Sequence, residues 1–274
     1  RTLHGVRIAL AQLDSQLGDV DANELRARET VAQARAGRAD LVVFPELHLS
    51  GYALGAVEHD TSETAASAAA VADGVAALFG FHERDGERRY NSAVYVEGGA
   101  PLHVHRKLYL VDYPPFEEDA HFSPGETMRA FDTALGRVAV LICNDAWQPF
   151  LPALAVADGA EILLVPAASS TAVQEAEAYW RDLTRFYARM LECFVVFVNR
   201  VGAEAGFTFW GGSHVVDPLG EIVAEAPVLE ESLLLVDLDL DRVTARRREL
   251  PLVTGLRPHL LCAELERLAR RRIA

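Results

Sequence analysis

The chain has 274 residues, half of them hydrophobic, and a formal net charge of -14 at pH 7. That is enough apolar material for a substantial core. The acidic balance excludes a surface built mainly to hold nucleic acid or an anionic membrane, both of which need clustered basic residues. The 3 cysteines, Cys143, Cys193 and Cys262, are few, widely spaced and odd in number, which fits reduced thiols in a cytoplasmic setting better than a disulfide framework.

Residues 6–10 read as a strand. Residues 19–36 read as a helix, with acidic residues early and Arg28, Arg35 and Arg38 late, the polarity a helix dipole favours; Gly37 is a stop signal. The apolar run 41–44 is a second strand, broken by Pro45 and Glu46, and the β-α-β order predicts parallel pairing. Glu46 then stands just beyond a strand's C-terminal end. Residues 47–57 read as a loop, and the alanine-rich stretch 61–78 is expected to be helical. Runs at 77–81 and 92–96 flank the turn Arg84-Asp85-Gly86-Glu87 and predict a hairpin. A further strand, 102–105, ends in Arg106 and Lys107.

Residues 108–125 form a long loop that carries the pair Glu117 and Glu118 and the aromatics Tyr109, Tyr113, Phe116 and Phe122. Loops of that length inside compact domains are usually functional or disordered, and the aromatics favour an ordered loop that lines a pocket. Residues 137–142 read as a buried strand that delivers Cys143, Asn144 and Asp145 where it ends, the place at which open α/β sheets set their chemistry. A helix at 149–158 and a strand at 162–165 follow. The helix expected at 175–193 has an apolar stripe of Trp180, Leu183, Tyr187 and Met190. After it come a strand at 194–198, a short strand at Val215 and Val216, a hairpin at 218–220, a strand at 232–240 and a basic helix at 260–272. No linker or repeat divides the sequence, so one domain over 1–274 of class α/β or α+β is expected. No signal-like segment leads it, and no stretch approaches the roughly 20 apolar residues of a membrane span.

Glu46, Lys107 and Cys143 each follow a predicted strand, and adjacent parallel strands bring their C-terminal ends together, which predicts one crevice. The chemistry is complementary: a thiol needs a base or a positive field to become a nucleophile, and a carboxylate beside an ammonium offers both. Lys107 can also neutralise an oxyanion on an attacked carbonyl. Taken singly, Cys143 reads as a small buried hydrophobe and Lys107 as a solvated surface residue; their weight comes from standing together. His103 and His105 share a strand face but lack a third ligand at useful spacing, and Asp237, Asp239 and Asp241 lack the glycine and distal glutamate of a calcium loop. No metal or organic cofactor is expected.

Three separated motifs, Phe44-Pro-Glu46 followed by Ser50-Gly-Tyr52, His105-Arg-Lys107-Leu-Tyr-Leu110, and Leu141-Ile-Cys143-Asn-Asp145, resemble those of the nitrilase superfamily of carbon-nitrogen hydrolases. The likeness runs nearly end to end, through Asn91-Ser-Ala93, Gly159 to Pro166 and Asn199-Arg-Val-Gly202. It implies a four-layer αββα sandwich, two mixed sheets between helical layers, and pairing through a helical face into an extended homodimer or higher homo-oligomer. It implies Cys143 as nucleophile, Glu46 as general base and Lys107 as oxyanion stabiliser, with the backbone N–H of Asn144 as a second oxyanion donor. A second glutamate of the lysine loop falls on Glu118, with Glu117 as the off-by-one alternative. Within the superfamily the sequence looks most like the glutamine-amide-hydrolysing part of glutamine-dependent NAD synthetases, whose aromatic pocket positions match Tyr52, Tyr113 and Trp147, and whose later motif resembles Phe209-Trp-Gly-Gly-Ser213. No synthetase segment follows in this sequence, so a free-standing amidase is the expectation. The resemblance implies hydrolysis of a small primary amide, glutamine-like amides among the candidates, through a thioester. An N-carbamoyl-amine hydrolase and a catalytically idle scaffold are the alternatives. Nitrile hydrolysis is disfavoured, because the Trp-Glu that usually follows the cysteine of that group is absent.

Overall fold

A computed structural model describes residues 5–72 and 74–273. The chain opens with β1 (Gly5–Gln12), α1 (Val20–Ala36), β2 (Leu41–Val43), α2 (Ala65–Ala69), β3 (Ala76–Asp85), β4 (Arg88–Glu97) and β5 (Ala100–Arg106). It continues through β6 (Ala130–Thr133), β7 (Gly136–Val140), α3 (Phe150–Ala157), β8 (Ile162–Ala167), α4 (Ala176–Leu191) and β9 (Phe194–Asn199). The last part comprises β10 (Val201–Glu204), β11 (Phe207–Trp210), β12 (His214–Val216), β13 (Ile222–Glu225), β14 (Ser232–Asp239), α5 (Asp241–Glu249) and α6 (Pro258–Ile273). Among the described residues the strands make two six-stranded sheets, ordered β14-β1-β2-β3-β4-β5 and β13-β12-β9-β8-β7-β6, and a ribbon of β10 with β11. The second sheet is built entirely from residues 130–225. Only β14 returns, to pair antiparallel along all of β1 from Gly5 with Asp239 to Gln12 with Ser232.

The layering follows from apolar residues on both faces of the central strands. Ile8 and Leu10, Leu41 and Val43 on one sheet meet Val138, Val140, Ile162, Leu164, Val196 and Val198 on the other in a core between the sheets. The alternate residues Ala9, Ala11, Val42 and Phe44 face away, toward Ala27, Val31 and Ala34 of α1 and Ala68 and Ala69 of α2. Leu163, Val165, Val195 and Phe197 likewise pack beneath Leu151 and Ala155 of α3 and Trp180, Tyr187 and Ala188 of α4. A strand covered on both sides has no polar face, which is why these segments read as continuous apolar runs. Each fully buried Leu, Ile or Phe contributes about 1.5–3 kcal/mol. The result is an α/β sandwich with helices outside two mixed sheets. No helix among the described residues is long and apolar enough to cross a membrane.

Several expectations are corrected. The stretch 61–78 is helical only over Ala65–Ala69, and its end is strand, because Ala76, Ala77 and Leu78 pair parallel with Leu41, Val42 and Val43; tertiary pairing overrides the helix propensity of alanine. Asp73 lies outside the described residues. The buried stripe of α4 runs through Trp180, Thr184, Tyr187 and Ala188, so Met190, expected in that stripe, faces outward at 44% exposure. The sequence reading had no counterpart for β6, the β10–β11 ribbon or α5, which are short or strongly polar, whereas the hairpin expected at 218–220 joins β12 to β13. His103 stacks on Phe131 with ring centroids 4.1 Å apart.

One residue of the first sheet decides whether the site can form. The backbone of residues 45–47 crosses directly over β3 at Gly80, where an added Cβ would lie 2.3 Å from the Pro45 carbonyl oxygen and 2.5 Å from the Leu47 nitrogen. Both neighbours are backbone and cannot rotate away. Gly80→Ala is therefore expected to cost about 1–3 kcal/mol through overpacking and, by displacing Glu46, to lower turnover roughly 100-fold. Thermal unfolding and steady-state kinetics on the variant check both, and unchanged turnover would refute the link between Gly80 and the position of Glu46.

Candidate active site

The polar cluster at one end of the sandwich is assembled from both sheets. Glu46 sits in the turn after β2 and is 1% exposed. Its Oε1 accepts from Lys107 Nζ at 2.7 Å and from Asn91 Nδ2 at 2.8 Å, and its Oε2 accepts from the Ala168 backbone N–H at 2.8 Å. A buried carboxylate survives only when its lone pairs are filled in this way. Asn91 on β4 serves twice: its side chain holds Glu46, and its carbonyl accepts from the Lys107 N–H at 2.8 Å.

Lys107, immediately after β5, is fully enclosed, and its ammonium also donates to Glu118 Oε1 at 2.7 Å. Glu118 accepts from the Tyr52 hydroxyl at 2.6 Å and, through Oε2, from the Val111 N–H at 3.0 Å. Tyr52 is tied down in turn by Glu204, which accepts from the backbone N–H groups of Tyr52 and Ala53 at 2.6 and 2.8 Å and pairs with buried Arg200 at 2.7 Å. One cation thus bridges two carboxylates, and the loop 108–125 is ordered around the second of them. Glu117 is exposed, so Glu118 is the glutamate in the cluster.

Cys143 opens a short 3-10 turn, Cys143–Trp147, at the end of β7, and its φ of 44° lies in the left-handed region that non-glycine residues rarely occupy. Asp145, two residues on and 0% exposed, holds that turn. Its Oδ2 accepts from the Ile142 N–H at 3.1 Å and faces His105 Nε2 at 2.9 Å, while its Oδ1 accepts from the N–H groups of Leu108 and Tyr109 at 2.9 and 3.0 Å. The Asn144 amide donates to the Tyr109 carbonyl at 3.0 Å. These bonds fasten the cysteine turn of one sheet to the lysine segment of the other. The backbone N–H of Asn144 belongs to the first, internally unpartnered residues of the turn.

The electrostatics follow from this enclosure. Burial opposes the charge on Lys107, but the carboxylates of Glu118 and Glu46 outweigh it and hold the ammonium above the ordinary lysine range. Burial pushes Glu118 up, against the pull of Lys107 and with the help of Glu46. Burial, and next the negative charge of Glu46, raise the Cys143 thiol well above its ordinary range despite Lys107. The resting cysteine is a thiol beside a carboxylate, not a free thiolate. A narrow cavity of about 30 Å3 lies against Cys143 and Asn144, walled by Tyr52, Tyr113, Phe116 and Trp147. A larger hollow of about 200 Å3 shares Tyr52 and Phe116 and reaches Glu118, but Cys143 does not line it.

Glu46, Lys107, Glu118, Cys143, Asn144, Tyr52, Tyr113 and Trp147 all fall in this region, though by another route than expected. Glu46 and Lys107 do not leave adjacent parallel strands: β3 and β4 lie between β2 and β5, and Cys143 comes from the other sheet. Gly80 and Asn91 bridge that gap. Sequence reading attached no role to Asn91, Glu204 or Ser169; the signal was available for Asn91, a polar residue on a strand otherwise apolar enough to be buried, which must find a partner. Tyr52 lines the cavity with its ring, since its hydroxyl is engaged by Glu118. Trp147 is held by stacking on Tyr179 at 5.4 Å and by the edge of Trp180 at 5.7 Å. Among the described residues no group of three or more His, Cys, Asp or Glu side chains is placed to hold a metal ion.

A sandwich of this topology, with a cysteine, a lysine and two carboxylates gathered where its sheets meet, defines a cysteine-dependent carbon-nitrogen hydrolase. The chain belongs to the carbon-nitrogen hydrolase family, whose profile matches residues 7–248. It is 34% identical over 245 residues to the glutamine-dependent NAD(+) synthetase of Thermotoga maritima, covering 86% of this chain and 42% of that protein, so it spans less than half the length of that relative. It is 35% identical over 256 residues to an (R)-stereoselective amidase of Pseudomonas sp, covering 89% of each. The carbon-nitrogen hydrolase of Helicobacter pylori G27 superposes with a TM-score of 0.84 at 26% identity, over 96% of this chain and 99% of that one.

Proposed function

We propose that the protein hydrolyses a small primary amide to a carboxylic acid and ammonia. The observation that carries this is the Lys107 ammonium, 2.7 Å from both Glu46 and Glu118, beside a cysteine at a strained turn. Glu46 takes the thiol proton as Cys143 sulfur bonds to the amide carbon. Because the thiol is held well above its ordinary range, transfer of that proton accompanies attack. The carbonyl oxygen becomes an oxyanion facing Lys107 and the backbone N–H of Asn144. The C–N bond then breaks, Glu46 returns the proton to nitrogen, and ammonia leaves a thioester on Cys143. Water attacks the thioester, Glu46 accepts a water proton, the C–S bond breaks, and the proton returns to sulfur. Glu118 keeps Lys107 in place and, by accepting from the Tyr52 hydroxyl, fixes one aromatic wall of the cavity, of which Tyr113 and Trp147 form others.

Cys143→Ala is expected to lower ammonia release from amides at least 10,000-fold, whereas Cys193→Ala, buried beneath α4, should leave the rate per folded molecule within about 2-fold of wild type. Intact-mass detection of an acyl adduct in wild type and its loss in Cys143→Ala supply the direct readout. Ammonia release from Cys143→Ala at the wild-type rate would refute the assignment. Self-association through the outer helical face belongs to the same proposal: Phe150 and Leu154 on α3 and Tyr179, Phe186 and Met190 on α4 are large apolar side chains left 44–61% exposed, an arrangement that favours burial against a second copy.

A further inference from the structure

The cavity beside Cys143 contains a hydroxyl whose hydrogen-bonding role is fixed by its neighbours. Ser169 follows β8, is 8% exposed and lines the same cavity as Cys143. Its Oγ accepts from the indole N–H of Trp180 at 2.9 Å and from that of Trp210 at 3.2 Å. A serine hydroxyl has two lone pairs and one proton, so both acceptor positions are spent. The backbone cannot turn to change this, because Asn199 clamps it: the Ser169 N–H donates to Asn199 Oδ1 at 2.8 Å and its carbonyl accepts from Asn199 Nδ2 at 3.2 Å. Among the described residues, the hydroxyl meets no acceptor for its own proton. What remains to it is to donate into the cavity.

The rest of the wall carries no compensating charge. Tyr52, Val111, Tyr113, Phe116, Trp147 and Trp180 are apolar or aromatic, and no Asp, Glu, Lys or Arg lines the cavity. The nearby charges of Glu46, Lys107 and Glu118 are already paired with one another. A zwitterionic acyl group, with a carboxylate and an ammonium of its own, would enter without partners, and unpaired charge is costly to bury.

We infer that Ser169 is a specificity-determining residue that donates a hydrogen bond to an acceptor oxygen on the acyl chain of an uncharged short amide, and that the site discriminates against zwitterionic amides such as glutamine. The inference rests on the amidase reading above and narrows its substrate class to neutral amides bearing an ether, carbonyl or hydroxyl oxygen near the scissile carbon.

The test uses two isosteres, methoxyacetamide and butyramide, in which an acceptor-only ether oxygen replaces a methylene. With the full chain, kcat/KM is measured for both by ammonia release, alongside L-glutamine, in wild type, Ser169→Ala and Trp210→Phe. The ratio of methoxyacetamide to butyramide is expected to fall about 10-fold in Ser169→Ala, the worth of one hydrogen bond. It should hold in Trp210→Phe, which breaks an indole contact but keeps the donor. A ratio does not depend on how much of a variant is folded, so a destabilised variant still reports. Glutamine is expected to be at least ~100-fold poorer than methoxyacetamide in wild type. An unchanged ratio in Ser169→Ala overturns the donor role, and glutamine as the better substrate overturns the neutral-substrate assignment, both with amide hydrolysis intact. Ammonia from none of the three amides overturns the amidase reading, and this inference with it.

Discussion

Lys107→Met is expected to abolish amide turnover and to destabilise the fold by about 3–5 kcal/mol, the usual consequence of removing one partner from a buried charge cluster. In the wild type the Lys107 ammonium lies 2.7 Å from Glu46 and from Glu118, with all three side chains out of water. Without it two carboxylates share an enclosed site, and at least one must take up a proton. Glu118, already raised from 4.5 by burial and by Glu46 while Lys107 pulls it down, is the group that should do so. A carboxyl whose folded pKa is raised binds a proton on folding, so its contribution is fully present below about 4.5 and is lost as pH rises through the raised value. The stability deficit of Lys107→Met should therefore be smaller at pH 5 than at pH 8. Urea unfolding of both proteins at the two pH values measures this, and a deficit independent of pH would show that the carboxylates are not left facing each other.

The same cluster marks the boundary of what the sequence could say. Strands such as β1, β7, β8 and β9 were legible because both of their faces are apolar, and the side chains that the motifs pointed to, Glu46, Lys107, Glu118 and Cys143, do gather at one place. How they gather was not legible. The reading placed Glu46, Lys107 and Cys143 on adjacent parallel strands, whereas the actual path leads across β3 through the missing side chain of Gly80 and across β4 through Asn91. Neither residue is chemically reactive, and a glycine in a strand announces only that some backbone comes close. The alanine stretch after Thr64 failed for a related reason: its last residues satisfy the parallel ladder with β2, a non-local demand that local propensity does not contain. Ser169 was invisible because its role is set by two indoles, Trp180 and Trp210, that lie 11 and 41 residues away in the chain.

Asp145→Asn is expected to lower kcat at least ~100-fold while leaving a folded protein with KM changed by no more than about 3-fold. The carboxylate has four neighbours that donate or can donate: the N–H groups of Ile142, Leu108 and Tyr109, and His105 Nε2. An asparagine presents one oxygen and an NH2 group in the same space, so its nitrogen must confront donors with another donor, and at least one buried N–H loses its acceptor at about 1–3 kcal/mol. The donors left unpaired belong to the turn that holds Cys143 at φ 44° and to the segment that carries Lys107. Relaxation there separates the sulfur from the ammonium, while Trp147 at the far end of the turn stays held by Tyr179 and Trp180, which is why kcat should fall and KM should change little. Asp145 is on this account a positioning residue, and overall destabilisation would not mimic the effect once rates are referred to folded protein. His105→Gln supplies the comparison: its amide can still donate to Asp145 Oδ2, so it should retain at least about a third of wild-type kcat. Equal kcat in Asp145→Asn and wild type, measured per folded molecule at saturating amide, would show that the cysteine turn holds its shape without this carboxylate.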